Sequence, residues 1–144
     1  MEWSDTCARY GILAVKDATF EANIKPTDAT YSFVERMYTT ALKRDYDLEG
    51  RNYWASQLAC FKTTGEELGK SFFLSSEMEG YKLNNEEYIK RLYLTFMDRE
   101  ADKGGLDYWT KFLKEGHSRE EAVLGFTRSA EFEQKCIDAR CLPY

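Results

Sequence analysis

The polar and apolar positions of this chain fall into a helical rhythm that is written twice. From Tyr31 the apolar residues Phe33, Val34, Met37, Tyr38, Ala41 and Leu42 recur at i, i+4 and i+8 with their neighbours. That spacing puts them on one stripe of an amphipathic helix. The stripe returns as Tyr88, Ile89, Leu92, Tyr93, Phe96 and Met97, preceded by Asn84 or Asn85 as a cap and by Glu86-Glu87 as an acidic first turn. A third pattern begins at Thr64 and again at Ser118. Each is followed by two glutamates at capping-box spacing and then by inner residues, Leu68 and Phe72 in one copy, Val123 and Phe126 in the other.

Between these stripes lies a segment that identifies the two halves as copies. Arg44, Asp47, Gly50, Tyr53 and Trp54 reappear 55 positions later as Arg99, Asp102, Gly105, Tyr108 and Trp109, along with the pairs Arg36/Arg91, Tyr38/Tyr93, Thr40/Thr95 and Leu58/Leu113. Beyond Leu58 the offset drops to 54, which matches Glu66/Glu120, Phe72/Phe126, Ser75/Ser129 and Glu77/Glu131. The segment reads as a corner between helices. Asp47 and Asp102 are placed to cap the following helix, and Arg44 and Arg99 to face the negative end of the preceding one and bridge to the capping carboxylate. Gly50 and Gly105 allow a close approach, and Tyr53-Trp54 and Tyr108-Trp109 set large rings on the second helix. The expected fold is all-α: two tandem three-helix repeats packed as one helical domain. An N-terminal extension over 1–30 packs on the repeats, repeat 1 covers 31–83, and repeat 2 with a C-terminal tail covers 84–144.

Composition narrows the function classes. The 144 residues carry a net charge of −5 and a pI near 5.0; such a field repels a phosphate backbone, so nucleic acid is not an expected partner. No apolar run reaches the roughly 20 residues that span a bilayer, and Met1 to Asp5 lacks the basic and apolar regions of a signal peptide. Cys7, Cys60, Cys136 and Cys141 contain no Cys-x-x-Cys and stand beside a single histidine, which argues against zinc. An even count in a small domain favours two disulfides over four unpaired buried thiols, with Cys136 and Cys141 joined locally or each reaching back to Cys7 and Cys60.

Catalytic and metal readings find little support. Asp45, Asp47, Glu49 and Gly50 imitate the opening of a calcium loop, but a twelve-residue loop counted from Asp45 ends at Ser56, and one counted from Glu100 ends at Lys111. His117 has no nucleophile and orienting partner to work with, and Glu66, Glu67, Glu120 and Glu121 are explained by the dipole of the helices they open. No metal, cofactor or catalytic set is expected. The rings at 53, 54, 108 and 109 could stack on sugars, yet helical spacing assigns them to the core first.

The repeated residues resemble the bacterial domain of unknown function 4214, whose units run Phe-Val-x-x-Leu-Tyr, Leu-Gly-Arg-x-x-Asp-x-x-Gly-x-x-Tyr-Trp and Ser-Arg-x-x-Val-x-x-x-Phe-x-x-Ser-x-Glu-Phe. The match rests on Phe33-Val34, Met37-Tyr38, Arg44, Asp47, Gly50 and Tyr53-Trp54. It continues through Ile89, Leu92-Tyr93, Arg99, Asp102, Gly105, Tyr108-Trp109, Ser118-Arg119, Phe126, Ser129 and Glu131-Phe132. Lys43 and Asp98 stand where the family often has glycine, and Tyr46 and Ala101 where proline often precedes the aspartate. The resemblance implies an all-helical module, distantly similar to phycobilisome linker domains, set within a larger secreted or cell-surface bacterial protein. It implies attachment to a protein or glycan ligand, or alternatively a spacer or assembly role without a soluble ligand, and it brings no catalytic residues. The extracellular setting it implies also suits the disulfide reading.

Overall fold

The computed structural model describes residues 25–144, and every regular element among them is helical. The extension over 1–30, with Cys7 and its expected packing on the repeats, lies almost wholly outside the described residues. Helix α1 (Asp28–Arg36) opens on a reciprocal capping box: Thr27 Oγ1 accepts from the Thr30 N–H while Thr30 Oγ1 accepts from the Thr27 N–H, both at 3.2 Å. It runs without a break into a wider π-helical stretch, Met37–Leu42, which Lys43 ends in the left-handed region at φ 55°. Then come α2 (Leu48–Ala59), α3 (Gly65–Phe73) and the short α4 (Ser76–Gly80), capped by Asp47, Thr64 and Ser75.

The second copy repeats this in detail. Helix α5 (Asn85–Leu92), capped by Asn84, continues as π-helical Tyr93–Met97 and stops at Asp98, φ 53°. Helices α6 (Lys103–Lys114), α7 (Arg119–Thr127) and α8 (Ala130–Asp138) follow, capped by Asp102, Ser118 and Ser129. The three expected helices are present in each copy, and each copy adds a fourth. The serines at 75 and 129 close the third helix, donating to the carbonyls of Phe72 and Phe126. The same hydroxyls accept from the N–H groups of Met78 and Phe132, which restarts the chain in a new direction.

The copies meet along their π-helical stretches. Thr40 and Thr95, the same residue of the two repeats, touch through their hydroxyl oxygens at 2.7 Å. Thr40 already donates to the Arg36 carbonyl (2.6 Å), which leaves Thr95 as the donor between them. Arg36 Nε donates to the Thr95 carbonyl (3.0 Å), and its counterpart Arg91 donates to the Ala41 carbonyl (2.8 Å). Apolar packing closes the rest: Phe73 of repeat 1 lies 5.2 Å from Phe96 of repeat 2, and Phe96 meets Phe132 edge-on at 5.0 Å. Gly69 is what lets Phe96 in, because a Cβ there would stand 2.5 Å from the ring. The buried Tyr88 hydroxyl donates to the Phe73 carbonyl (2.9 Å), and burial holds its pKa far above the ordinary phenol value. The hydrophobic core therefore runs across both repeats rather than within each.

The C-terminal tail is part of this arrangement. The first-turn amides of α3, Gly65 and Glu66, donate to the carbonyls of Leu142 (2.7 Å) and Pro143 (2.8 Å), so the end of repeat 2 satisfies open donors at the start of a repeat 1 helix. Thr30 in α1 donates to the Ala139 carbonyl (2.8 Å), tying the same tail to the start of the repeat unit.

Candidate functional site

The repeated signature builds one corner twice. Asp47 Oδ1 accepts from the Gly50 N–H at 2.7 Å, and Asp102 Oδ2 from the Gly105 N–H at 3.1 Å, so both aspartates are the expected N-caps. The Gly105 bond holds the Asp102 carboxyl below its ordinary pKa, with Arg99 adding to the effect. The glycines are required by tyrosines of the preceding π-helical stretch: a Cβ at Gly50 would collide with the Tyr38 hydroxyl, and one at Gly105 with the Tyr93 hydroxyl. Each tyrosine is buried under a guanidinium, Arg44 lying 5.2 Å from the Tyr38 ring centre and Arg99 5.2 Å from that of Tyr93. Burial first, then the neighbouring aspartate, raises both phenol pKa values.

The arginines were expected against the capping carboxylates, and here the geometry differs. Arg44 makes a two-pronged bond to Glu77 of α4 (2.8 and 3.1 Å), and Arg99 makes the same bond to Glu131 of α8 (3.0 and 2.9 Å). Arg99 also reaches Asp102, at 3.6 Å. A planar guanidinium fork fits a carboxylate edge-on, and the glutamate offers two oxygens that are not spent on a helix cap. These bonds depress Glu77 and Glu131 below the usual glutamate range. The signal was in the sequence, since Glu77/Glu131 and Tyr38/Tyr93 are both identical pairs between the copies.

The aromatic pairs divide. Trp54 and Trp109 are half-buried and pack on the core, Trp54 at 6.3 Å from Phe72 and Trp109 at 5.0 Å from Phe126. Tyr53 and Tyr108 face outward with 59% and 62% of their surface exposed, which corrects their assignment to the core. On α2 and α6 successive residues point about 100° apart, and here that step carries the tyrosine off the buried stripe that holds the tryptophan. In repeat 2 the outward ring belongs to a larger surface. Tyr108 lies 6.5 Å from Phe112 with the planes 22° apart, and Phe112 stacks on His117 at 4.0 Å and 7°. Lys111 and Glu115 join these three around one hollow. His117 is half-exposed, with Nδ1 at 2.9 Å from Glu121 Oε2, and this contact holds the Glu121 carboxyl below its ordinary pKa. In repeat 1, Gln57 stands where Phe112 does, and Tyr53 has no such extension.

The other candidates take structural roles. Glu66, expected as a first-turn carboxylate explained by the helix dipole, is in the first turn of α3 and is also buried against the end of α7. It accepts from Arg128 Nε (3.0 Å), Arg128 Nη2 (3.1 Å) and the Thr127 hydroxyl (3.0 Å), and the arginine lowers its pKa. Among the described residues, no group of three or more His, Cys, Asp or Glu is placed to hold a metal ion. Cys60, Cys136 and Cys141 stand as free thiols in this structure, and Cys7 lies outside the described residues, so the expected disulfides are not shown among the described residues.

Comparison with known families returns one description twice along the chain. The family model "Domain of unknown function (DUF4214)" matches residues 14–81 and again residues 69–136, in step with the two structural copies. No curated protein and no solved structure matches the chain.

Proposed function

The chain belongs to the DUF4214 family, and from that premise we propose that it is a non-catalytic binding module of a larger secreted or cell-surface bacterial protein, attaching to a protein or glycan ligand. The observation that carries the reading is the outward face of α6. Tyr108 keeps 62% of its surface in water, and Phe112, His117, Lys111 and Glu115 surround the hollow beside it. A rigid aromatic ring with charged neighbours on a helix offers large contact area at low entropic cost, together with hydrogen-bonding groups to orient a ligand. The half-buried Trp109 fixes this face from beneath, meeting both Tyr108 (5.2 Å) and Phe112 (5.3 Å) edge-on. Glycan arrays and pull-downs from cell-wall and host extracts test it, with Tyr108→Ala and Lys111→Ala beside the parent. Binding by the parent that both variants lose supports the reading; silence of the parent across both assays overturns it.

A second reading, a spacer or assembly domain, is favoured by the shared core, since two repeats locked through Thr40, Thr95 and Glu66 transmit force as one body. It predicts no soluble ligand and self-association visible by light scattering.

A further inference from the structure

Helix α8 ends in a way that places two cysteines against each other. The Cys141 N–H donates to the Cys136 carbonyl at 3.0 Å, and the Arg140 N–H to the Ile137 carbonyl at 3.0 Å, while Arg140 adopts φ 58°. This is the Schellman arrangement, in which the residue two places beyond the cap returns over the third-last helical residue and their side chains usually make an apolar contact. Here those two residues are Cys136 and Cys141. Both residues are buried, at 0% and 1% exposure. A 3.0 Å bond between the two backbones keeps their Cα atoms within the roughly 7 Å beyond which a bridge cannot form.

We propose that Cys136 and Cys141 are a disulfide-forming pair that latches the C-terminal tail onto repeat 1. Directly after Cys141, the carbonyls of Leu142 and Pro143 accept from the Gly65 and Glu66 amides of α3. Gly65 also packs on the Cys136 sulfur, which a Cβ would approach to 2.6 Å. A bond between the sulfurs fixes the direction in which the tail leaves α8 and so holds those carbonyls over α3. The oxidant is a small-molecule or enzyme disulfide. One cysteine thiolate attacks it, forming a mixed disulfide and expelling one thiol; the second cysteine thiolate then attacks that mixed disulfide and expels the other. The two protons released by the cysteines end on the two expelled thiols. In the docked tail, burial and the neighbouring sulfur push the Cys136 thiol far above its ordinary pKa, against the pull of Arg36. Exchange therefore proceeds before the tail docks, and the closed pair is then shielded from reductant. The pairing rests on local geometry; its persistence in the cell rests on the extracellular setting proposed above.

The test oxidises the whole chain with oxidised glutathione, unfolds it in an alkylating reagent and digests it with trypsin, which cuts after Lys135 and Arg140. The expected product is the segment 136–140 linked to 141–144, with Cys60 alkylated. Amide exchange at Gly65 and Glu66 is expected to be slower in oxidised than in reduced protein, a difference that Cys141→Ser abolishes while still melting cooperatively. Alkylated Cys136 and Cys141, or either one linked to Cys60 or Cys7, overturns the pairing. A linked pair with unchanged exchange at Gly65 and Glu66 overturns the latch. Because the oxidation is done in vitro, failure here speaks to the pairing alone and leaves the localisation to its own test.

Discussion

Lys43 and Asp98 hold the same left-handed conformation at the end of the two π-helical stretches, with φ 55° and 53°. This explains at a single residue why the family so often has glycine there. A side chain with a Cβ is strained in that region, and lysine lacks the short polar group that lets aspartate or asparagine tolerate it. Lys43→Gly is expected to raise unfolding stability by about 1 kcal/mol, read from denaturant midpoints, and Asp98→Gly by less. The carboxylates of Glu66, Glu77, Asp102 and Glu131 share another residue-level property, each lying below its ordinary pKa because a guanidinium or a backbone amide favours the charged form. A group depressed in the folded state contributes stability that is complete above its unfolded pKa and is lost as pH falls through the folded one. The melting temperature is therefore expected to be flat from neutral pH down to about pH 5 and to fall steadily below about pH 4. A flat profile to pH 2 would show that these bonds contribute nothing.

At the scale of the element, several helix starts are legible in the sequence because capping chemistry is local. Thr64, Asn84, Asp102 and Ser118 each announce their helix within four residues of sequence, and each caps it. The fourth helices were missed for the same local reason. Ser75 and Ser129 sit in runs that continue the third helix's polarity, and the turn depends on one hydroxyl serving the helix before and the helix after. The corner's partners were also out of reach of local reasoning, since Arg44 to Glu77 and Arg99 to Glu131 span 33 and 32 residues. The glycines of the corner provide a direct check. Gly105→Ala puts a methyl group onto the Tyr93 hydroxyl and should destabilise by about 1–3 kcal/mol, the usual range for overpacking. Adding Tyr93→Phe removes the obstructing oxygen and should recover a large part of that loss. Additive losses in the double variant, measured as a double-mutant cycle, would show that the two residues do not meet.

For the whole molecule, the duplication predicted two copies but not how they join. The stripe of α1 and its partner in α5 read simply as core-facing, yet they bring Thr40 and Thr95 together and carry Arg36 and Arg91 each onto the other repeat. That arrangement also sets the two faces of the signature. Asp102 and Gly105 fix the corner at the surface, Trp109 turns inward onto Phe126, and Tyr108 turns outward. This division of labour between adjacent residues is the centre of the account, and it can be tested without knowing the ligand. Thermal and denaturant melts of Trp109→Ala and Tyr108→Ala are compared with the parent. Trp109→Ala is predicted to lose about 3 kcal/mol, the low end for a large core aromatic because the ring is half-buried, and Tyr108→Ala to stay within about 0.5 kcal/mol. A Trp109→Ala protein that melts with the parent, or a Tyr108→Ala protein that falls as far as Trp109→Ala, would contradict it.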